Sequence, residues 1–205
     1  MTTIKITKMN GCGNDFVIID KSEFDKANLS MSDMAKKICD RNFGVGGDGM
    51  IIPDLTPNNK TDIAWFFYNS DGSTAQMCGN GMRCFAKYVT DKKLVNKNKF
   101  SVMTGAGIIT PEILDNGLIK VNMSKPILEP EKIPFKGNNI LNFDITVKDI
   151  TLKANAISMG NPHCVIFTDN DVYEMAKTYG PELEKHSLFP EKTNVEFIRI
   201  KSRNE

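Results

Sequence analysis

A cysteine at the start of an apolar segment is the feature of this sequence that most clearly suggests chemistry. Cys78 stands immediately before the turn Gly79-Asn80-Gly81, and the apolar, helix-like segment 82–89 follows. A cysteine at a helix N-terminus meets unpaired backbone N–H groups and the positive end of the helix dipole, and both favour the thiolate. The same N–H groups can hold a carboxylate. A thiolate beside a carboxylate-binding turn suits removal of the α-proton of an amino acid.

Three helices are predicted, and one of them must position Cys78. The segment 82–89 is apolar on nearly all sides, as a helix enclosed by a sheet would be. Ser30, with Asp33 three residues later, is the expected N-cap of a helix whose apolar stripe runs through 31–38. A further apolar stripe, 172–179, is expected to end at Gly180-Pro181.

Strand signals alternate with these helices, which predicts an α/β chain. An Asn-Gly pair at 116–117 is a strong signal for a hairpin turn. The segment 126–139 is rich in proline, glycine and charge, so we expect two domains, residues 1–123 and 124–205. Strands are predicted at 4–9, 16–20, 100–110, 112–123 (with the turn at 116–117), 145–155 and 164–167.

The composition narrows the class of protein. The 205 residues, of which 40% are apolar and 25% charged, can bury one large core or two small ones. A net charge of +1 gives no basic surface for nucleic acid. No apolar run approaches the ~20 residues of a membrane span, and the first six residues alternate like a strand rather than a signal peptide. Five cysteines without a paired framework predict reduced thiols in the cytoplasm.

Six blocks of this sequence resemble the diaminopimelate epimerase family, and they occur in the family's order. The longest contains Cys78, and the others extend the resemblance from residue 8 to residue 197. The blocks are KMNGCGNDF (8–16), RNFGVGGDG (41–49), NSDGSTAQMCGNGMRC (69–84), TGAG (104–107), MGNPH (159–163) and TNVEF (193–197).

The resemblance implies a fold, a reaction and an assembly. The fold is a pair of pseudo-symmetric α/β domains, each a mixed sheet curled around a central helix. The reaction interconverts LL- and meso-2,6-diaminoheptanedioate, for lysine and peptidoglycan biosynthesis. Two opposed thiols remove and return the proton, without pyridoxal phosphate, metal or other cofactor. Members of the family commonly form homodimers, and neither nucleic acid nor membrane is an expected partner.

The resemblance also assigns roles to particular residues. Cys78 corresponds to one catalytic thiol, and His163 to a histidine that assists the thiol pair. The residues implied to bind the substrate are Asn14, Asn69, Asn161 and Asn194 through their side chains, and Gly79 and Asn80 through their backbone. Neutral amides suit this work because they donate and accept hydrogen bonds without adding charge beside the reacting carbon. The remaining cysteines, at 12, 39, 84 and 164, are assigned to packing.

The sequence departs from the family in several places. Asn10 stands where the family commonly has histidine, and Gly49 where some members have a substrate-contacting glutamine. The family's Cys-Gly-Thr-Gly and Glu-Arg-Gly motifs are not among these residues. The spacing from Asn14 to Cys78, repeated from Asn161, would place a second cysteine at about position 225. We therefore expect the 205 residues alone to be inactive, as the first three-quarters of the enzyme, with the carboxylate partner of His163 also outside them.

Other interpretations of the sequence predict different functions. A proline racemase or a phenazine-biosynthesis isomerase would share the fold, and a chain with a single thiol could be a non-catalytic binding protein. The glycines of 44–49 satisfy G-x-G-x-x-G, but they follow a helical stripe rather than a strand, which argues against a dinucleotide site. No C-x-x-C pair occurs, so zinc is not expected.

Overall fold

The computed structural model describes residues 3–55, 60–123 and 125–203, and the chain divides into two units. Unit 1 is Met1–Met123 and unit 2 is Ser124–Glu205. Within the described ranges, no helix has both the length and the apolar character that crossing a bilayer requires.

Unit 1 is built on a six-stranded sheet with the strand order β1-β2-β3-β4-β5-β6, and a separate hairpin pairs β7 with β8. The neighbours β2 and β3, and likewise β4 and β5, are parallel, whereas the other pairs are antiparallel. The strands are β1 (Thr7–Gly11), β2 (Asn14–Ile18), β3 (Gly49–Asp54), β4 (Ile63–Asn69), β5 (Val102–Thr104), β6 (Gly107–Ile109), β7 (Pro111–Ile113) and β8 (Ile119–Val121). The helices are α1 (Lys21–Phe24), α2 (Met31–Cys39) and α3 (Gly79–Asp91).

The sheet of unit 1 buries side chains on both faces. Phe16 and Ile18 of β2 belong to the core that contains α3, whereas the alternate residue Val17 belongs to the core that contains α2. This follows from the two-residue period of a strand, which sends successive side chains to opposite faces. Each large apolar side chain that is fully buried stabilises the fold by about 1.5–3 kcal/mol. Because α3 is packed in this core, the position of its N-terminus is fixed.

Unit 2 is built on a four-stranded sheet with the order β12-β11-β10-β9, and its described residues form one α-helix. Its core contains Leu183 from the end of the helix and Phe189 from the segment that follows. The strands are β9 (Phe143–Val147), β10 (Ile150–Ser158), β11 (Pro162–Phe167) and β12 (Asn194–Ile198), and the helix is α4 (Val172–Leu183).

The two units contain the same arrangement of strands and helix. In unit 1 the antiparallel hairpin β1–β2 is followed by the short α1, by α2 and then by β3, which lies parallel to β2. In unit 2 the antiparallel hairpin β10–β11 is followed by α4 and then by β12, which lies parallel to β11. Each hairpin turn contains a glycine with positive φ, 94° at Gly13 and 109° at Gly160, a conformation that favours glycine.

Several predicted elements are confirmed. Ser30 caps α2, because its Oγ accepts from the backbone N–H of Asp33 at 3.0 Å. The helix predicted at 82–89 lies within α3, and most of its residues are buried. Gly117, with φ 80°, closes the predicted hairpin turn between β7 and β8.

Other predicted elements were wrong in extent. The strand predicted at 145–155 is the hairpin β9–β10, whose turn places Lys148 at a φ of 51° without the glycine that usually marks such a turn. The strand predicted at 100–110 turns at 105–106 to form β5 and β6. The helix predicted to end at Gly180-Pro181 continues to Leu183, because the Leu183 side chain is fully buried in the core of unit 2.

Candidate functional site

Cys78 lies at the N-terminus of α3, as the sequence predicted. Its backbone is extended, with φ −145° and ψ 120°, and its Sγ accepts from the N–H of Gly81 at 3.4 Å. A Cβ on Gly81 would lie 3.5 Å from the Cβ of Cys78 and 3.4 Å from the Phe16 ring, which is ordinary van der Waals contact, so the start of α3 packs against both residues. The thiol is half-buried. It is therefore held against the helix terminus while part of it remains accessible.

The backbone beside Cys78 supplies donors for an anion. The first N–H of α3 to bond one turn back is that of Met82, which donates to the Cys78 carbonyl at 2.8 Å. By helix geometry the N–H groups of Gly79 and Asn80 have no carbonyl one turn before them. These groups and the positive end of the helix dipole favour an anionic ligand at this position.

Two predicted substrate residues, Asn14 and Asn80, contact each other. The Nδ2 of Asn80 donates to the Oδ1 of Asn14 at 2.7 Å, and the Nδ2 of Asn14 donates to Asp48 at 2.9 Å. This contact depends on close approach of the β1–β2 hairpin to α3, since a Cβ on Gly11 would lie 3.0 Å from the carbonyl oxygen of Asn80. The structure thus places the Asn14 side chain beside the first turn of α3.

Charged residues support Asn14 from behind. Arg41 donates to both carboxylate oxygens of Asp15, at 3.1 and 2.7 Å, and to Asp48 at 2.7 Å. Lys8 lies 3.1 Å from Asp15. The Arg41 guanidinium, with a smaller contribution from Lys8, holds the pKa of the Asp15 carboxyl well below its usual range against the opposing effect of burial. The hydrogen bond from Arg41 also fixes the Asp48 carboxylate in a position where it accepts from Asn14.

This lowered pKa predicts how stability depends on pH. Because the pKa of Asp15 is lower in the folded state than the unfolded value of about 3.9, its contribution is present above pH ~4 and is lost as the pH falls. We expect the free energy of unfolding, measured with urea between pH 7 and pH 3, to fall more steeply for the natural protein than for Asp15→Asn. Parallel curves for the two proteins would contradict this.

Asn69 ends β4 and opens the turn 69–73 that precedes Cys78. Its Nδ2 donates to the Oγ of Ser73 at 3.0 Å, and its backbone N–H donates to the carbonyl of Ser73 at 2.9 Å. Asp71 accepts from the hydroxyl and the N–H of Ser73, which lowers the pKa of this carboxyl. The structure thus fixes the Asn69 side chain within its own turn.

The other cysteines divide into two groups. Cys39, Cys84 and Cys164 are buried, which confirms their assignment to packing. Burial raises the pKa of Cys39 to about 11 and that of Cys164 to about 12, and it also raises the pKa of Cys84. The packing assignment was wrong for Cys12, which is exposed at the tip of the β1–β2 hairpin.

Arg83 is a residue of this site that the sequence did not single out. Its Nη2 donates to the Oδ1 of Asn80 and to the Sγ of Cys12, the latter at 3.6 Å. A Cβ on Gly79 would lie 3.8 Å from its Nη1. Arg83 follows Asn80 by about one helical turn, and its guanidinium lies back over the first turn of α3. Its position in the 69–84 block was the signal available in the sequence.

The site departs from the family pattern at Gly49 for a steric reason. A Cβ at this position would come within 2.7 Å of both the Phe67 ring and the carbonyl oxygen of Tyr68. Position 49 therefore cannot contribute a side chain to a binding site in this protein.

The glycine-rich loop 44–49 has a structural role in unit 1. The N–H groups of Val45 and Gly46 donate to the carbonyl of Ile38, and that of Gly47 donates to the carbonyl of Cys39. These donors satisfy the last carbonyls of α2 rather than facing a phosphate. Within the described part of the chain, no group of three or more His, Cys, Asp or Glu side chains is arranged to hold a metal ion.

In unit 2, the structure places His163 between two acceptors. Its Nδ1 lies 2.7 Å from Glu196 Oε1, and its Nε2 lies 3.1 Å from Asn161 Oδ1. Glu196 thus gives His163 a carboxylate contact within the described residues, whereas the counterpart that the family resemblance implies remains a prediction. The register explains the contact, since His163 pairs with Asn194 in the parallel strands and Glu196 follows two residues later on the same face.

Asn161 and Asn194, both predicted to bind substrate, lie at the same open cleft of unit 2. The Nδ2 of Asn194 donates to the carbonyl of Pro162 at 3.0 Å, so the start of β12 is tied to the start of β11. The cleft has a volume of roughly 280 Å³. It is lined by Asn161, Pro162, Glu184, Glu191, Lys192, Thr193 and Asn194. Unit 2 thus brings three of its predicted residues together, the two asparagines and the histidine that contacts one of them.

Comparison with known structures defines the class of fold. The chain superimposes on a phenazine biosynthesis protein of the PhzF family from Bacillus anthracis with a TM-score of 0.63 and 18% identity. The superposition covers 99% of this chain and 69% of that one. This likeness confirms the predicted α/β fold, which is of the diaminopimelate epimerase type.

The sequence comparisons are more specific. Residues 6–129 match the family model described as diaminopimelate epimerase. The diaminopimelate epimerase of Carboxydothermus hydrogenoformans is 45% identical over 201 residues, covering 97% of this chain and 73% of that protein. That of Desulforapulum autotrophicum is 46% identical over 205 residues, covering 96% and 72%. The chain belongs to the diaminopimelate epimerase family, a family of isomerases, as the six sequence blocks predicted.

Proposed function

We propose that this protein interconverts LL- and meso-2,6-diaminoheptanedioate, with Cys78 as one of the groups that exchange the α-proton. The observation that carries the proposal is the placement of Cys78 Sγ at the N-terminus of α3, where it accepts from the Gly81 N–H. The names of the relatives at 45% and 46% identity support the choice of substrate.

The geometry of unit 1 suits the removal of an α-proton. The N–H groups of Gly79 and Asn80 bind the α-carboxylate, which carries much of the negative charge that develops when the carbon loses its proton. The Cys78 thiolate takes that proton, so the C–H bond breaks as an S–H bond forms. Inversion is complete when a second acid, a thiol by family resemblance, returns a proton to the opposite face.

The remaining polar groups of the substrate are proposed to bind to neutral side-chain amides. We assign Asn14 and Asn69 of unit 1, and Asn161 and Asn194 of unit 2, to substrate binding. His163 is assigned to assist the thiol chemistry, because its ring has a carboxylate at one nitrogen and can exchange a proton at the other. These assignments rest on the family resemblance and on the contacts within each unit.

Ligand protection of the thiol tests this proposal. Iodoacetamide is expected to modify Cys12, which is exposed, and Cys78, which is half-buried, in preference to the three buried cysteines. Saturating meso-diaminopimelate should slow the modification of Cys78 and leave that of Cys12 unchanged, as followed by peptide mass spectrometry. L-proline serves as the control ligand, because protection by proline instead would favour a racemase of the same fold. Equal rates for Cys78 with and without diaminopimelate would contradict the assignment.

The assembly and the compartment are also part of the proposal. We propose a homodimer, which the family resemblance supports, and light scattering during size-exclusion chromatography measures it. We further propose a cytoplasmic location, supported by the five cysteines, all of which carry free thiols in the described structure. Fractionation of the source cells tests the location.

A further inference from the structure

Both nitrogens of the His163 ring contact oxygen atoms, and one of these oxygens belongs to a carboxylate, which cannot act as a hydrogen-bond donor. Glu196 Oε1 lies 2.7 Å from Nδ1. A carboxylate can only accept, so this contact places a proton on Nδ1. The Asn161 amide, 3.1 Å from Nε2, can present either its oxygen or its nitrogen, and it therefore suits the ring whether Nε2 carries a proton or not.

The environment of Glu196 is unfavourable for a residue kept for stability alone. Its second oxygen, Oε2, is buried and has no hydrogen-bond partner within the described residues. Leaving a buried acceptor unsatisfied is unfavourable, and more so when the group is charged. Glu196 also lies close enough to Cys164 to contribute to the raised pKa of that buried thiol, after the larger effect of burial. An apolar residue on this strand face would avoid these costs, so the contact with His163 is the feature that accounts for a carboxylate here.

We propose that Glu196 is a positioning residue for His163. It holds the neutral imidazole in the Nδ1–H tautomer and fixes the orientation of the ring, so that Nε2 is the nitrogen that gains and loses a proton. Nε2 faces Asn161, which lines the open cleft of unit 2 together with Asn194. This inference rests on the proposed role of His163 in the reaction, and it adds the residue that decides which ring nitrogen exchanges the proton.

The tautomer can be measured directly, because the chain contains only two histidines. In His186 the Nδ1 accepts from the backbone N–H of Leu188 at 3.3 Å, so the neutral ring carries its proton on Nε2. Proton–nitrogen correlation spectra of the ¹⁵N-labelled protein above the imidazole titration should therefore show opposite tautomers for the two residues. His163→Gln removes one set of signals and completes the assignment.

Replacing the carboxylate separates positioning from packing. Glu196→Gln preserves the shape of the side chain but can present an N–H₂ group to Nδ1, so we expect His163 to lose its Nδ1–H preference while His186 is unchanged. Glu182→Gln, which removes the same charge from an exposed site on α4, should change neither histidine. Circular dichroism establishes that both variants fold. An unchanged His163 tautomer in folded Glu196→Gln would overturn the inference.

Kinetics of the full-length protein distinguish this inference from the proposed function. Because a positioned acid or base contributes about 10²–10⁴-fold to rate, we expect Glu196→Gln to lower kcat by at least about tenfold with a smaller change in KM. Glu196→Asp, which keeps the charge, should recover part of that loss. A changed tautomer with an unchanged kcat would make Glu196 structural and overturn the inference. Wild-type kcat in His163→Gln would instead overturn the proposed role of His163.

Discussion

The Cys78→Ser variant is expected to lower the rate of α-proton exchange by the full-length protein by about 10²–10⁴-fold, the usual contribution of a positioned acid or base. A serine hydroxyl is far less acidic than a thiol, so it does not provide an anionic base at neutral pH. Serine is nevertheless a favourable N-cap, and it can accept from the Gly81 N–H in place of the sulfur. The variant therefore removes the base while preserving the start of α3.

The measurement is deuterium incorporation from D₂O into diaminopimelate, together with chromatographic separation of the LL and meso isomers. Cys12→Ser is the matched control, because it makes the same chemical change at an exposed thiol of the same unit, and it should retain wild-type exchange. Far-UV circular dichroism and urea unfolding show whether each variant is folded. Near wild-type exchange in folded Cys78→Ser would show that another group removes the proton.

The Phe85→Ala variant is expected to produce the largest loss of stability, about 3–5 kcal/mol. Phe85 lies on α3, is fully buried, and packs edge-on against Trp65 with the ring centroids 5.4 Å apart. Truncation removes the transfer free energy of the ring and leaves a cavity that a close-packed core fills only in part. The loss of the aromatic pair adds to this cost.

Urea unfolding at neutral pH measures this effect. Phe43→Ala is the control, because Phe43 is 95% exposed and its truncation should change the free energy of unfolding by no more than about 0.5 kcal/mol. Equal losses for the two variants would contradict the assignment of α3 to the centre of the core. Cys78 lies at the N-terminus of α3, so diaminopimelate should protect its thiol only in folded molecules. We therefore expect the protection of Cys78 in Phe85→Ala to depend on the fraction of that variant that remains folded.

The helices near the candidate site were predictable because their signals are local. The apolar segment 82–89 required a buried helix, and the preceding Gly-Asn-Gly turn placed Cys78 at its start. The cap at Ser30 likewise depends on a contact three residues away. The hydrophobic periodicity and the capping residues of a helix lie within one or two turns of each other. A single sequence therefore contains all the information needed to recognise them.

Features that depend on contacts between distant segments were not predictable in the same way. The partnership of His163 with Glu196 follows from the register of two parallel strands separated by a helix, and no local pattern specifies that register. The turn at Lys148 was missed because a residue with a Cβ adopts the left-handed conformation there, at a cost that the surrounding sheet offsets.

The hydrogen bonds that join Arg83, Asn80, Asn14 and Asp48 have a single direction. A guanidinium can only donate and a carboxylate can only accept. Arg83 and Asp48, at the two ends of this series of hydrogen bonds, therefore determine the orientation of both amides between them. Neither amide can turn over without opposing two donors or two acceptors. Both amides accept through their oxygen and donate through their nitrogen in the same sense, so each bond polarises the next. Asn14 is consequently oriented before any ligand arrives, and binding does not incur the entropic cost of selecting that orientation.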